Sequence, residues 1–283
     1  MHLRDHRLAR FAALGWLHIH ANPSWPLHII QRRMNASRLV VVIGSAHRVG
    51  STWLFEILRD LGCLRNAINE APPHLHRFGA LWPGSIDYYW VARIHGWAIL
   101  KGHADPPTTE DQAALARFVT IYRDPRDVVV SSSFQRARLP QAQGGLGEEF
   151  RSLSPAERIN RLLLSRNPTL LVELERWFRT PYAVQIVYEA LRAQPQATVT
   201  RLAEELGLPV NQRQVAAVVT RRDFARTTGR IPGQEADAAA RKGIVGDWRN
   251  YFTSDTVECF KTAQDGRWNA LLVEMGYETQ DDW

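Results

Sequence analysis

Long apolar runs are missing from this chain, and cysteine and lysine are scarce. No stretch reaches the ~18 apolar residues that a membrane-spanning helix requires, so no transmembrane segment is expected. The two cysteines, Cys63 and Cys259, lie far apart without CxxC spacing. That excludes a disulfide framework and a zinc ribbon, and it suits a reducing, cytoplasmic setting. The pairs His18/His20 and His74/His76 have ligand-like spacing, but no Cys, Asp or Glu cluster accompanies them, so no metal is expected. Zinc-finger, basic-zipper and aromatic RNA-binding patterns are also lacking, which argues against nucleic acid as a partner. The short apolar patch Phe11 to Leu17 imitates a secretory signal, yet His18 and His20 interrupt it and no clean cleavage site follows. Residues 1–38 therefore read as a basic N-terminal extension preceding one domain over 39–283.

What the chain has is arginine. Only three of its 35 basic residues are lysines, Lys101, Lys242 and Lys261, and the net charge of +6 suits an anionic ligand. An apolar content of 45% over 283 residues supports a sizeable core. Strand-like runs at 39–43, 97–100, 118–122 and 182–187 alternate with helical stretches near 51–62, 109–116, 125–138, 155–179 and 198–206. This alternation predicts an α/β fold, a single domain with a mostly parallel central sheet flanked by helices. The stretch from Pro140 to Gly147 reads as a loop long enough to be mobile or part of a lid, and Thr227 to Gly246 is a second breaker-rich segment.

In such sheets ligands bind at the carboxyl ends of the strands, and several of those ends here are charged. After the first strand come Gly44-Ser45-Ala46-His47-Arg48-Val49-Gly50-Ser51-Thr52. That is the strand, Gly-bounded turn and helix of a P-loop-like phosphate site, but Ser51 stands where the nucleotide-triphosphatase motif has lysine. The cation is instead Arg48, two residues before Gly50. After 97–100 come Lys101-Gly102-His103, whose first and third residues face the same way in extended chain. Histidine can accept a proton near neutral pH, and lysine can neutralise developing anionic charge.

At the third strand's end, Arg123 precedes a helix start at Pro125, and that helix could carry Ser131 back toward the strand end as a second phosphate station; the alternative is a salt bridge of Arg123 with Asp124 or Asp127. Arg241, Lys242 and Gly243 open a further cationic, glycine-rich patch that could clamp a phosphate. Phosphate stations this far apart in sequence call for an elongated ligand bearing phosphates at both ends.

Together these residues resemble the PAPS-dependent sulfotransferases, in the motif layout of the soluble cytosolic type. Ser45 to Leu54 resembles the family's 5′-phosphosulfate loop, Tyr122 to Ser131 its 3′-phosphate motif, Lys101-Gly102-His103 its catalytic Lys-x-His, and Arg241 to Trp248 its Arg-Lys-Gly-x-x-Gly-Asp-Trp motif. The resemblance spans about 39 to 253. It implies 3′-phosphoadenosine 5′-phosphosulfate (PAPS) as sulfuryl donor, a small-molecule or glycan hydroxyl as acceptor, and no metal. Arg48, Val49, Gly50, Ser51 and Thr52 are then expected on the 5′-phosphosulfate, and Arg123, Ser131, Arg241, Lys242 and Gly243 on the 3′-phosphate. Trp53 and Phe224 are expected to flank the adenine, with Tyr188 near it. His103 is the implied general base, and Lys101 and Arg48 the implied charge stabilisers.

The chain departs from the cytosolic pattern in having Arg48-Val49 for Lys-Ser, while carbohydrate sulfotransferases resemble it in using arginine there. The family's dimer motif is partly matched near Arg249 to Glu258, with Ser254 at its valine position, so a homodimer is possible. The acceptor pocket is expected from 63–96, 135–150 and 227–240, including Trp82, Tyr88, Tyr89 and Trp90. The alternatives are a nucleotide kinase-like P-loop enzyme, which predicts Mg²⁺ dependence, and a noncatalytic PAPS- or PAP-binding protein.

Overall fold

The structure, a computed structural model, describes residues 38–71, 76–77, 80–81, 88–165, 169–238, 240–280 and 283. The basic extension up to residue 37, His74 and Trp82 lie outside the described residues. The chain groups into two compact units, each built from separated stretches. The first runs to Tyr122 and includes Arg176–Asp223; the second comprises Arg123–Glu175 and Phe224–Trp283.

The first unit holds the sheet. Its strands are β1 (Leu39–Gly44), β2 (Arg65–Asn66), β3 (His76–Arg77), β4 (Ala80–Leu81), β5 (Trp97–Gly102), β6 (Arg117–Tyr122) and β7 (Ala183–Val187). They lie in the order β3-β4-β5-β1-β6-β7, with β2 also on β5, and every pairing except β3 with β4 is parallel. β1 is buried along its whole length, as a run of four β-branched residues, Val40 to Ile43, covered on both faces should be. Val40 and Val42 join a cluster with Ala98, Leu100, Phe118 and Trp177, and strand alternation leaves Val41 and Ile43 for the opposite face. Helix α1 (Ser51–Asp60) packs on β1, β5 and β6 through buried Leu54, Phe55, Ile57 and Leu58. Each such fully buried side chain stabilises the fold by roughly 1.5–3 kcal/mol. Arg38 ties the strand approaches together by donating to the carbonyls of Val91 (2.8 Å), Ile94 (2.9 Å) and Leu115 (2.9 Å).

Gly44 closes β1 against Trp177, whose indole N–H donates to the Ala104 carbonyl at 2.9 Å. A Cβ on Gly44 would lie 2.0 Å from the Trp177 ring. Gly44→Ala is therefore expected to destabilise the protein by roughly 3 kcal/mol, read as a fall of roughly 6–12 °C in Tm by thermal melting.

The second unit is helical. Helix α2 (Pro125–Arg138) starts at a proline, and the Asp124 carboxylate caps it by accepting from the Arg126 N–H at 2.9 Å. The buried Arg126 guanidinium forks onto Asp124, pairs with Glu278 at 2.7 Å, and lies 4.0 and 4.5 Å from the Trp248 and Trp283 ring centroids. Helix Pro155–Leu163 packs on α2, and helices Ser254–Thr262 and Arg267–Glu274 pack on each other.

The parallel sheet agrees with the sequence reading, with local differences. The stretch 155–179 holds two helices, Pro155–Leu163 and Thr169–Arg179. The expected 109–116 helix shortens to Glu110–Ala113, and the one expected at 198 begins at Pro195. The 140–147 loop is knitted back onto α2, since the N–H of Leu146 donates to the Arg136 carbonyl at 3.1 Å. Tyr88 and Trp90 pack against the core cluster, while the Tyr89 side chain lies outside the described residues. Among the described residues no helix is long and apolar enough to cross a membrane, and both cysteines are free thiols.

Candidate active site

The loop Ser45 to Gly50 joins the end of β1 to α1. Arg48 (φ 70°) and Gly50 (φ 97°) both take left-handed backbone, which curls the chain so that its N–H groups can turn toward one anion. For arginine this conformation costs about 1–2 kcal/mol. α1 has Gly50 as N-cap with no side-chain cap bond and no acidic residue in its first turn, so its leading N–H groups and the positive end of its dipole suit an anion. Val49 is buried beneath the loop, and Arg48 is partly exposed. Gly50 is required twice over, by its φ and because a Cβ there would lie 2.7 Å from the Tyr188 ring.

The register of β1 with β5 brings the Lys-x-His pair to this loop. Gly44 pairs with Gly102, so Lys101 and His103 flank the residue beside the point where the loop begins. Lys101 Nζ donates to Thr52 Oγ1 at 2.8 Å. His103 Nδ1 lies 2.9 Å from the Ser45 carbonyl, which can only accept. Nδ1 therefore carries the proton, and the basic lone pair is on Nε2. The His103 ring stacks on His47 with centroids 3.6 Å apart and planes 23° apart.

Burial pushes the His103 imidazole down to about 4; the Ser45 bond opposes this, and the Lys101 charge adds to it. At neutral pH His103 is thus an uncharged acceptor. Burial also lowers the Lys101 ammonium, against the attraction of Glu56. Trp53 is fixed by its N–H donating to the Arg222 carbonyl at 2.7 Å, with Tyr188 edge-on at 6.3 Å and the Arg192 guanidinium 5.5 Å from its ring centroid.

In the second unit, Arg123 donates to the Ile244 carbonyl at 2.7 Å and pairs with Asp127 at 3.0 Å. The Asp127 carboxylate also accepts from the N–H groups of Gly246 and Trp248, each at 2.8 Å. One buried acid thus joins Arg123 to the loop of the Arg-Lys-Gly motif. Arg241 pairs with Asp247 and with Glu235 (3.0 Å) and stacks over Phe134 at 4.2 Å. Lys242 reaches the Tyr251 hydroxyl at 2.7 Å and Asp247 at 3.2 Å. Those pairings hold both cations charged, and Arg241 Nε is buried without a hydrogen-bond partner. Gly243 (φ 63°) lies so close to Phe224 that a Cβ would come within 2.4 Å of the ring, which also carries the Arg230 guanidinium at 5.3 Å. Ser131 is buried in the second turn of α2.

Arg48, Val49, Gly50, Ser51, Thr52, Trp53, Lys101, His103 and Tyr188 thus belong to the first unit, and Arg123, Ser131, Phe224, Arg241, Lys242 and Gly243 to the second. Sequence reasoning passed over His47, Glu235 and Tyr251; it offered Asp127 as a salt-bridge partner of Arg123, which the structure shows, and Asp247 as part of the Arg-Lys-Gly motif. The local signal for Asp127 is its i,i+4 spacing from Arg123 on one helical turn. Among the described residues no group of three His, Cys, Asp or Glu is arranged to hold a metal ion.

Comparison with known proteins identifies the family. A family model described as "Sulfotransferase domain" matches residues 40–268. Human Sulfotransferase 2B1 is 25% identical over 241 residues, covering 76% of this chain and 62% of its own length. Human Sulfotransferase 6B1 is 24% identical over 255 residues, covering 84% and 80%. Among solved structures, mouse sulfotransferase SULT7A1 complexed with PAP aligns with a TM-score of 0.54 at 18% identity, over 84% of this chain and 89% of that one. Retinol dehydratase in complex with androsterone and inactive cofactor PAP aligns with a TM-score of 0.56 at 16% identity, over 83% and 80%. At these identities the structural likeness is one of fold.

Proposed function

The chain belongs to the sulfotransferase domain family, and from that premise we propose that it transfers the sulfuryl group of PAPS to the hydroxyl of a small-molecule or glycan acceptor. The observation that carries the reading is the attachment of the Lys-x-His pair to the anion loop, with His103 Nδ1 on the Ser45 carbonyl and Lys101 Nζ on Thr52. A base and a cation are thereby anchored to the loop that is suited to hold the donor's anionic end.

Each unit taken by itself has the donors that such a ligand needs. In the first, Arg48, the N–H groups of Gly50, Ser51, Thr52 and Trp53, and the hydroxyls of Ser51 and Thr52 would hold the 5′-phosphosulfate, with Trp53 and Tyr188 for the adenine. In the second, Arg123, Ser131, Arg241, Lys242 and the N–H of Gly243 would hold the 3′-phosphate, with Phe224 for the adenine. When bound, PAPS supplies an activated sulfuryl group on a phosphate leaving group. His103 Nε2 accepts the acceptor's hydroxyl proton, and the Ser45 carbonyl steadies the imidazolium through Nδ1–H. With the donor bound, Arg48, Lys101 and the loop N–H groups would balance negative charge developing at the transferring group and its leaving oxygen. No metal is needed for these roles.

The test is PAP release from PAPS across phenols, alcohols, lipids and glycans, in EDTA. Turnover with one acceptor class, undiminished by EDTA, is expected. PAP binding without turnover on any acceptor points to a noncatalytic binder, and Mg²⁺-dependent use of ATP to a kinase.

A further inference from the structure

We propose that His47 is a positioning residue for His103: its ring, stacked face to face on the His103 imidazole, fixes the plane in which Nε2 meets the acceptor hydroxyl. The inference rests on the reading of His103 as the general base.

A single hydrogen bond underdetermines a histidine ring. The Nδ1 contact with the Ser45 carbonyl holds one atom at 2.9 Å, and the ring can still swivel about that contact, because χ2 of histidine is a broad sp³–sp² torsion. A second ring 3.6 Å away and nearly parallel removes that freedom. The stack exists because β1 and β5 end in register at Gly44 and Gly102, so residues just beyond the two strand ends become neighbours. Backbone and side chain of one short loop then grip His103 together, Ser45 through its carbonyl and His47 through its ring.

The stack also covers a face of the imidazole, and burial is the leading cause of its low basicity. The other groups acting there are Lys101 on β5, whose charge also disfavours protonation, and Glu56 on α1, which acts on Lys101.

Three variants separate the ring from its nitrogens. His47→Ala and His47→Gln remove the stack, and His47→Phe restores a ring without titratable nitrogens. In the full-length protein, His103 is titrated by NMR on ring-labelled histidine and PAPS turnover is measured in parallel. The wild-type His103 midpoint is expected near 4 and should move toward 6.5 in the Ala and Gln variants but not in the Phe variant. In the Ala and Gln variants kcat should fall by about 10-fold to 100-fold, with KM for PAPS within about twofold, and Phe should recover most of the loss. An Ala variant with unchanged midpoint and kcat overturns the proposal. So does a Phe variant that melts like wild type but is as slow as Ala. The NMR titration reads the stack even where turnover is absent, so a failure of the sulfuryl-transfer reading and a failure of this one are distinguishable.

Discussion

His103→Gln is expected to lower kcat about a thousandfold while leaving PAP affinity within about threefold, because the change removes the proton acceptor and spares the anion loop. Glutamine has no ring nitrogen able to take up the proton, so the loss reports the missing base at Nε2. The pH profile gives an independent check. A base works when unprotonated, so activity should be present above the His103 pKa and lost as pH falls through it. Since burial holds the group at about 4, kcat/KM, which reports the free enzyme, should stay level from neutrality down to about pH 5 and fall near 4. The kcat limb should lie higher, because the bound anionic donor favours the imidazolium. An acid limb at the ordinary histidine position in both profiles would contradict this reading of the site.

Arg48→Ala is expected to cost about 10²–10³-fold in kcat, the size seen when one preorganised charge donor is removed from a transition state. Arg48→Lys should recover part of this, since it keeps the charge but loses the planar fork. Arg48→Gly separates chemistry from folding. Arginine at φ 70° pays a backbone cost of about 1–2 kcal/mol that glycine avoids, and relief of that strain offsets the ~0.4–1 kcal/mol of extra unfolded-state entropy glycine brings. The Gly variant should therefore melt higher than the Ala variant, which loses the same side chain but keeps the backbone cost, while losing turnover as the Ala variant does. Assays of PAPS turnover with thermal melts on the same samples check both statements.

The features legible in the sequence are those with local causes. β1 could be read because four consecutive β-branched residues followed by glycine suit a central parallel strand, and α2 because Pro125 stands at its first position. Lys101 and His103 could be read because they flank a strand end. β2, β3 and β4 have two residues each, too few for any periodicity. Helix Gln212–Arg221 had a signal that went unused, the capping box of Asn211 with Gln214. His47 and Asp127 owe their roles to tertiary contacts. His47 depends on where two strands end, and Asp127 accepts N–H groups from Gly246 and Trp248, 119 and 121 residues along the chain. The i,i+4 spacing of Asp127 from Arg123 shows their pairing but not these N–H contacts, and no local pattern encodes the His47 stack. The same holds for Arg241 and Lys242, whose motif was plain but whose pairing with Asp247, Glu235 and Tyr251 was not.

The most direct test of the central claim is acceptor-dependent transfer of labelled sulfuryl group from PAPS in EDTA, with wild type and His103→Gln measured side by side and PAP affinity determined for both. The account predicts metal-independent transfer by wild type, loss of about three orders of magnitude in the variant, and comparable PAP affinity. Equal transfer by the two proteins, or transfer that vanishes when divalent cations are chelated, would contradict it.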